Sequence, residues 1–228
     1  MSDFNGITGD ALFLMQLNRF NDSRAFYEEN KETIKRTMTV PMRQIAAALS
    51  GDMLNVDPMM NTVPTKMVSR VRRDTRYTRD KHLYRENMWI MFMRPKKEWR
   101  MYPCMWFEVT PRVWSCGVGT YEARADLMEA FRERLRNEPD RFREAVRQAE
   151  NVGAVYDAEL YRRPKPDCPA GLDKYYNAKY FYFIFESPEL SALENDGIIE
   201  KLRQIYRSFA PMYEFLRDVS DDRLKTHQ

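Results

Sequence analysis

The feature that most constrains this chain is a polar stretch, residues 70–84, in which eight of the fifteen side chains are charged. Its sequence is Arg-Val-Arg-Arg-Asp-Thr-Arg-Tyr-Thr-Arg-Asp-Lys-His-Leu-Tyr, and we call it the arginine-rich segment. Charged side chains enter a folded interior only when they are paired, and arginine forks bind both carboxylates and phosphates. The segment is therefore either a site for an anionic ligand or an internal network of ion pairs. Its sequence favours neither interpretation over the other.

Strand geometry limits how the arginines of this segment can converge. Successive side chains of a strand point to opposite faces, so Arg70 and Arg72 would share one face and Arg73 would lie on the other. Arg70 and Arg73 can meet one ligand only if the strand bulges or ends near residues 72–74. We therefore expect a break in the regular strand at that point.

A helical turn is predicted at the end of the segment. Asp80 and Tyr84 are four residues apart, so one turn would bring Asp80 and Lys81 close to Tyr84. An ammonium group beside a phenol lowers the pKa of the phenol, which would make Tyr84 an acid or a base. Taken singly, each candidate is better explained as a salt-bridge partner. The predicted catalytic residues are Asp74, Asp80 and Tyr84, and the predicted anion-binding residues are Arg70, Arg73, Arg76 and Lys81.

The net charge of the chain is small, but its distribution is uneven. A net charge of +3 over 228 residues argues against a general polyanion binder. Residues 65–100, however, contain twelve Lys or Arg and four Asp or Glu. Nucleic-acid binding by this basic segment is therefore an alternative function, with the loop at residues 94–100 as its most exposed part. Bases would stack on aromatic side chains in or near it, although most of these fit a strand core equally well: Trp89, Trp99, Tyr102, Trp106 and Trp114.

Several classes of protein are disfavoured by what the sequence lacks. It shows no signal-peptide pattern and no apolar run long enough for a transmembrane helix, so we expect a cytoplasmic protein without a membrane partner. Three cysteines without CxxC spacing are typical of reduced thiols. Two histidines, His82 and His227, argue against a zinc site or a His-based triad. We expect no metal and no cofactor, because nucleotide-binding glycine motifs are missing as well.

The apolar pattern predicts helices at residues 11–17 and 26–38, separated by a stop and restart at residues 21–23. A third helix would open at Pro41 and end at Gly51. Two more helices are predicted around residues 127–135 and 142–149, and an amphipathic helix, bent at Pro211, over residues 198–216. The predicted strands are residues 66–72, 87–94, 104–109, 113–119, 154–160 and 180–185.

This order of elements predicts an α+β protein rather than a doubly wound parallel sheet. We expect a helical N-terminal layer, a central and mostly antiparallel sheet, and a C-terminal helix. Residues 1–220 would form a single domain, followed by a frayed tail at residues 221–228. The proline-rich stretch at residues 162–171 is expected to be a surface loop, because a strand and helix pattern continues after it.

The arginine-rich segment resembles the signature of a largely bacterial family, domain of unknown function 2461: Arg-x-x-Arg-Asp-x-Arg-aromatic, then Asp-Lys-x-x-Tyr. Tyr77 stands where phenylalanine is usual, and Leu83 where many members have proline. The restart at residues 21–24 and the pair Phe26-Tyr27 are also similar to the start of the family. The resemblance implies a single-domain α+β protein over the whole chain and no particular activity. The matching residues are Arg70, Arg73, Asp74, Arg76, Tyr77, Asp80, Lys81 and Tyr84.

Three functions are compatible with these patterns. The first is the binding of a small phosphate- or carboxylate-bearing molecule, with or without a reaction, in a pocket built on residues 70–84. The second is association with nucleic acid through the basic segment, whose affinity would fall steeply with salt. The third is a structural ion network inside a scaffold that binds a partner protein.

Overall fold

A computed structural model of the chain describes residues 4, 6–95, 100–120 and 122–226. The protein has the predicted α+β class: helices precede and follow a five-stranded antiparallel sheet, and a long helix closes the chain. None of the helices in these residues is long and apolar enough to cross a membrane.

Two helices meet at a sharp corner near the N-terminus. Helix α1 spans Gly9–Asn21, and the hydroxyl of Thr8 caps its first turn. Asp22 ends α1 in the left-handed conformation, with φ of 46°, and α2 then spans Arg24–Ile34. The predicted stop and restart at residues 21–23 is confirmed, and it places Asp22 between the two helices.

The chain remains helical between α2 and the next helix. A π-helical turn, Lys35–Thr39, leads directly into α3, which spans Val40–Val56. Pro41 lies in the first turn of α3, where its missing N–H costs little. The predicted helix end at Gly51 is wrong. A glycine costs about 1 kcal/mol in a helix interior, and the helix continues past it because the following turn buries Met53.

The five strands pair antiparallel in the order β1-β2-β3-β5-β4. They are β1 (Met88–Phe92), β2 (Pro103–Val109), β3 (Trp114–Thr120), β4 (Val155–Leu160) and β5 (Ala178–Ser187). The predicted strand at residues 66–72 is wrong. Pro64 presets the first turn of a short helix, α4 (Pro64–Met67), so the stretch begins as a helix. Isolated bridges then connect it to the returning chain: Val68 with Ile90 and Arg72 with Tyr84.

The remaining helices are α5 (Ala125–Asn137), α6 (Pro139–Asn151), α7 (Asp173–Tyr176) and α8 (Gly197–Thr226), with Pro211 inside α8. Residues 161–172, between β4 and α7, form an irregular loop, as predicted for the proline-rich stretch. The end of α8 is held to α5, since Arg223 Nε lies 2.9 Å from Asp126 Oδ2. The expected frayed tail is therefore helical as far as the structure describes it, and residues 227 and 228 lie outside that part.

The two faces of the sheet differ in character. One face belongs to the core, with α3 packed against β1 and α8 packed against β2 and β3. Its fully buried side chains include Ile90, Phe107, Cys116 and Phe183. The opposite face carries half-buried aromatic side chains, among them Trp89, Trp106 and Tyr182.

On that opposite face, the Trp106 ring closely approaches Gly117. A Cβ atom at residue 117 would come within 2.2 Å of the Trp106 ring and 2.7 Å of the carbonyl oxygen of Phe183. Glycine is therefore required here for the close approach of the ring, which also contacts Tyr182 edge-on at a centroid distance of 5.3 Å.

We expect Gly117→Ala to lower the free energy of unfolding by roughly 1–3 kcal/mol, because the added methyl group overpacks the site against backbone as well as ring. Gly51→Ala is the matched control. It lies in α3, and apart from its own helical turn no described atom comes within 4 Å of the new Cβ, so the change should raise stability by up to about 1 kcal/mol. Urea unfolding midpoints would measure both changes, and a harmless Gly117→Ala would contradict the close packing.

Candidate functional site

The arginine-rich segment forms a narrow hairpin-like stem with a wide tip. Arg72 and Tyr84 make an isolated antiparallel bridge, and Arg73 N donates a hydrogen bond of 2.8 Å to the carbonyl oxygen of Leu83. Residues 74–82 form the tip and contain no regular helix or strand. Residues 68–73 carry only isolated bridges, so no regular strand leads into the tip and the break predicted at residues 72–74 has no strand to interrupt.

Asp80 is the centre of an ion network at the tip. Its Oδ2 atom accepts a hydrogen bond of 2.8 Å from Arg19 Nη2 and another from Arg73 Nη1, while Oδ1 accepts one of 3.1 Å from His82 N. Arg73 first, and then the other donors, hold the pKa of Asp80 well below its usual range. Asp80 is thus a fixed carboxylate and a weak base.

Asp22, at the corner between α1 and α2, holds the returning strand. Its Oδ1 atom accepts hydrogen bonds from Leu83 N at 2.6 Å and from Tyr84 N at 3.3 Å. Its Oδ2 atom lies 3.4 Å from His82 Nδ1. Arg19 adds a bond of 3.2 Å from Nη1 to the carbonyl oxygen of Tyr84. The segment is therefore fixed to the helical layer by carboxylates and guanidiniums rather than by apolar contacts alone.

Tyr84 is buried, and its ring stacks on that of Tyr27 with centroids 4.7 Å apart. Burial raises the pKa of Tyr84, and the nearby Arg72 opposes this only in part. Lys81 is exposed and donates a hydrogen bond of 2.9 Å to the carbonyl oxygen of Thr75. The predicted helical turn is wrong, because aspartate carboxylates accept the hydrogen bonds of the amides that a helix would use. The predicted lowering of the phenol pKa by Lys81 is also wrong, because burial raises the pKa of Tyr84.

The other predicted site residues have separate environments. Asp74 forms an exposed two-point ion pair with Arg76, at 2.9 and 2.7 Å, and this pairing lowers the pKa of Asp74 to about 2. Arg70 is exposed and makes no ion pair or side-chain hydrogen bond with any described residue. Arg73 and Lys81 have the partners given above. The four predicted anion-binding cations therefore do not share one partner.

A residue outside the predicted set, Arg85, is a half-buried cation. The guanidinium of Arg85 lies over the ring of Trp89, 4.3 Å from the centroid, and its buried Nε atom has no hydrogen-bond partner among the described residues. Burial, and then repulsion from Arg73, lower the pKa of Arg85. Glu108 opposes this shift, but its carboxylate accepts a hydrogen bond of 2.5 Å from the amide of Asn87. Arg85 makes no ion pair within the described ranges.

Sequence reasoning missed three residues of this site, Arg19, Asp22 and Arg85, and named Trp89 only as a surface on which bases would stack. The restart at residues 21–23 was a signal for Asp22, but only as a helix cap. Arg85 directly follows the signature, and its position on the stem beside Arg73 depends on strand pairing. Nothing in the local sequence marks Arg19, which reaches Asp80 across 61 residues of chain.

The surface predicted for nucleic acid is only partly exposed. Trp114 and Tyr102 are buried, whereas Trp89 and Trp106 are half-buried on one face of the sheet. Arg94, from the predicted basic loop, lies 2.8 Å from the buried carboxylate of Asp57. The loop's other members Lys96, Lys97 and Trp99 lie outside the described residues. Over the part of the chain that is described, no group of three or more His, Cys, Asp or Glu side chains could hold a metal ion.

This arrangement of residues lies in a chain that matches a known protein family over most of its length. Residues 11–215 match the family model described as "Conserved hypothetical protein (DUF2461)". The chain belongs to this family. The DUF2461 match extends from α1 into α8 and so includes Asp22, the arginine-rich segment and Arg85. The family resemblance predicted from the sequence is confirmed. No curated protein matches the chain.

We expect Asp80→Asn to lower the thermal midpoint at pH 7, because two guanidiniums lose their shared carboxylate. Asp74→Asn is the matched control and should change the midpoint little, since its ion pair is exposed and local. The folded-state pKa of Asp80 is depressed, so its contribution is complete above the unfolded pKa of about 3.9 and is lost progressively as the pH falls from there through the lower folded-state pKa. Thermal melts from pH 7 to pH 3 should show the parent and Asp80→Asn converging, and a constant difference would argue against the network.

Proposed function

We propose that this DUF2461 protein binds a small phosphate- or carboxylate-bearing molecule beside the stem of the arginine-rich segment, with Arg85 as its main contact. One observation carries the proposal. Arg85 is a half-buried guanidinium that lacks an anionic partner among the described residues, next to a second guanidinium, that of Arg73.

Two neighbouring guanidiniums repel each other, and partial burial removes some of the water that would screen them. An anion between Arg73 and Arg85 would relieve this repulsion and supply the missing partner for the Arg85 fork. The Trp89 ring beneath Arg85 holds the fork in one orientation and so lowers the entropy lost on binding. Repulsion of this kind is common at ligand sites, where groups placed for binding lower the stability of the folded protein.

Binding is better supported than proton transfer. The low pKa values of Asp74 and Asp80 make both carboxylates weak bases near pH 7, and each already accepts bonds from arginine. The pKa of Tyr84 is raised by burial, so its phenol stays protonated. In this proposal Asp80 positions Arg73, and Tyr84 supports the stem.

In this proposal the remaining cations of the predicted site contribute a positive electrostatic potential rather than direct contacts with the ligand. Arg70 is exposed and unpaired within the described residues, and Lys81 uses its ammonium group on the tip itself. Their positive potential would attract anions to the surface and speed association at low salt. Arg76 adds little, because Asp74 neutralises it.

A cytoplasmic location is part of the same proposal. Cys104, Cys116 and Cys168 are free thiols, and burial raises the pKa of Cys104 to about 12, which keeps it unreactive. Free thiols of this kind are usual in a reducing compartment. Association with nucleic acid is the weaker proposal, because Trp114 and Tyr102 are buried and Arg94 is bound to Asp57.

Isothermal titration of inorganic phosphate and of succinate at low salt tests the anion site. We expect Arg85→Met to weaken binding by roughly tenfold or more, the loss typical of one charge-assisted hydrogen bond. The methionine keeps the apolar stem over Trp89, so the thermal midpoint should stay the same or rise. Arg85→Lys should bind with intermediate affinity because it keeps the charge and loses the fork.

The control is Arg112→Met, which removes an exposed arginine from the turn between β2 and β3. It should leave affinity unchanged. Equal affinities of the parent, Arg85→Met and Arg112→Met for both anions would contradict the proposed site.

A further inference from the structure

A second group of cations lies at the other end of the sheet. In the strand order β1-β2-β3-β5-β4, Val68, just before the arginine-rich segment, bridges to β1 at one edge, whereas residues 161–172 leave β4 at the opposite edge. A cavity of about 560 Å³ opens there. Its lining residues are Tyr161, Arg162, Arg163, Pro164, Lys165 and Lys179.

The loop that carries this cavity is held by Asn177, which is 8% exposed. The side-chain oxygen of Asn177 accepts a hydrogen bond of 2.7 Å from Lys165 N, and its Nδ2 donates one of 2.8 Å to the carbonyl oxygen of Asp173. The carbonyl oxygen of Asn177 accepts a bond of 2.8 Å from Tyr161 N. Both ends of the cationic stretch are thus fixed by one buried residue.

Arg132 of α5 supports the residues that line the cavity. It is 3% exposed and donates to the carbonyl oxygens of Tyr176 and Ala178, at 2.9 and 3.0 Å. Its guanidinium carbon lies 5.4 Å from the centroid of the Tyr161 ring. The cationic loop therefore rests on a fixed base, as a preorganised binding site requires.

The charges around the cavity are poorly compensated. Lys179 pairs with Glu159. Arg162, Arg163 and Lys165 make no ion pair and no side-chain hydrogen bond with the residues that the structure describes. The ammonium group of Lys165 lies 4.8 Å from the centroid of the Tyr161 ring, so it is held near the cavity rather than spread into solvent.

We propose that this cavity is a second anion site, and that it binds a small molecule carrying two or more phosphate groups. Three unpaired cations match the charge of a diphosphate, and arginine forks match its oxygen geometry. The cavity volume lies within the usual range for small-molecule sites. The Tyr161 ring supplies an apolar surface for whatever the phosphates are attached to.

Isothermal titration with inorganic pyrophosphate and with ADP tests this site. The parent for this experiment carries Arg85→Met, so that the site proposed in the previous subsection does not contribute. We expect Arg162→Ala/Arg163→Ala to weaken pyrophosphate binding by roughly tenfold or more. The charge-matched control, Arg36→Ala/Arg112→Ala, removes two exposed arginines elsewhere and should bind as its parent does.

The two ligands separate the possible sources of the phosphates. Equal affinities for pyrophosphate and ADP would support a site that contacts phosphate alone, and tighter binding of ADP would support additional contact with a nucleoside. Failure of both ligands to bind would overturn the proposal. Equal losses in the two double variants would also overturn it, because binding would then follow overall charge. Since the two double variants differ from the Arg85→Met parent only at exposed arginines, thermal midpoints that match this parent would show that the fold is intact.

Discussion

The carboxylate of Asp80, shared between Arg19 and Arg73, is the interaction on which the arginine-rich segment depends. Arg19 belongs to α1 and Arg73 to the stem, so one carboxylate joins the helical layer to the tip of the hairpin. Asp22 completes the attachment through the amides of Leu83 and Tyr84. Without these acceptors, the cations of the segment would repel one another and the tip would have no fixed position.

The network divides the segment into two parts with different roles. Arg19 and Arg73 share the carboxylate of Asp80, so this part of the segment is an ion network. Arg85 lies beside them, half-buried, with no anionic partner in the described residues, and this is the observation on which the proposed ligand site rests. In our proposal the two hypotheses that the sequence left open describe neighbouring parts of one structure, and the fixed part holds the uncompensated part in place.

Much of the fold could be predicted from the sequence because its signals are local. The restart at residues 21–23 and the separate helices predicted around residues 127–135 and 142–149 each arise from neighbouring residues. Two local signals were overridden. Gly51 does not end α3, because burial of Met53 continues the helix, and Pro64 opens a helix where a strand was predicted.

The candidate site was less predictable, because its geometry depends on contacts between distant residues. The signature gave the location of the segment and most of its charged members. It could not show that Arg73 would form an ion pair with Asp80, or that Tyr84 would be buried against Tyr27. Arg85 was missed for the same reason, since its lack of a partner depends on where Glu108 and Asn87 lie in the sheet.

Amide hydrogen exchange in the Asp80→Asn variant tests the central claim most directly. If the shared carboxylate fixes the segment, the amides of Arg73, Leu83 and Tyr84 should exchange roughly tenfold or more faster than in the parent, because local opening becomes easier. The amides that pair β2 with β3 should keep their protection in both proteins. Unchanged protection of Arg73, Leu83 and Tyr84 would contradict the account, because the stem would then be held without Asp80.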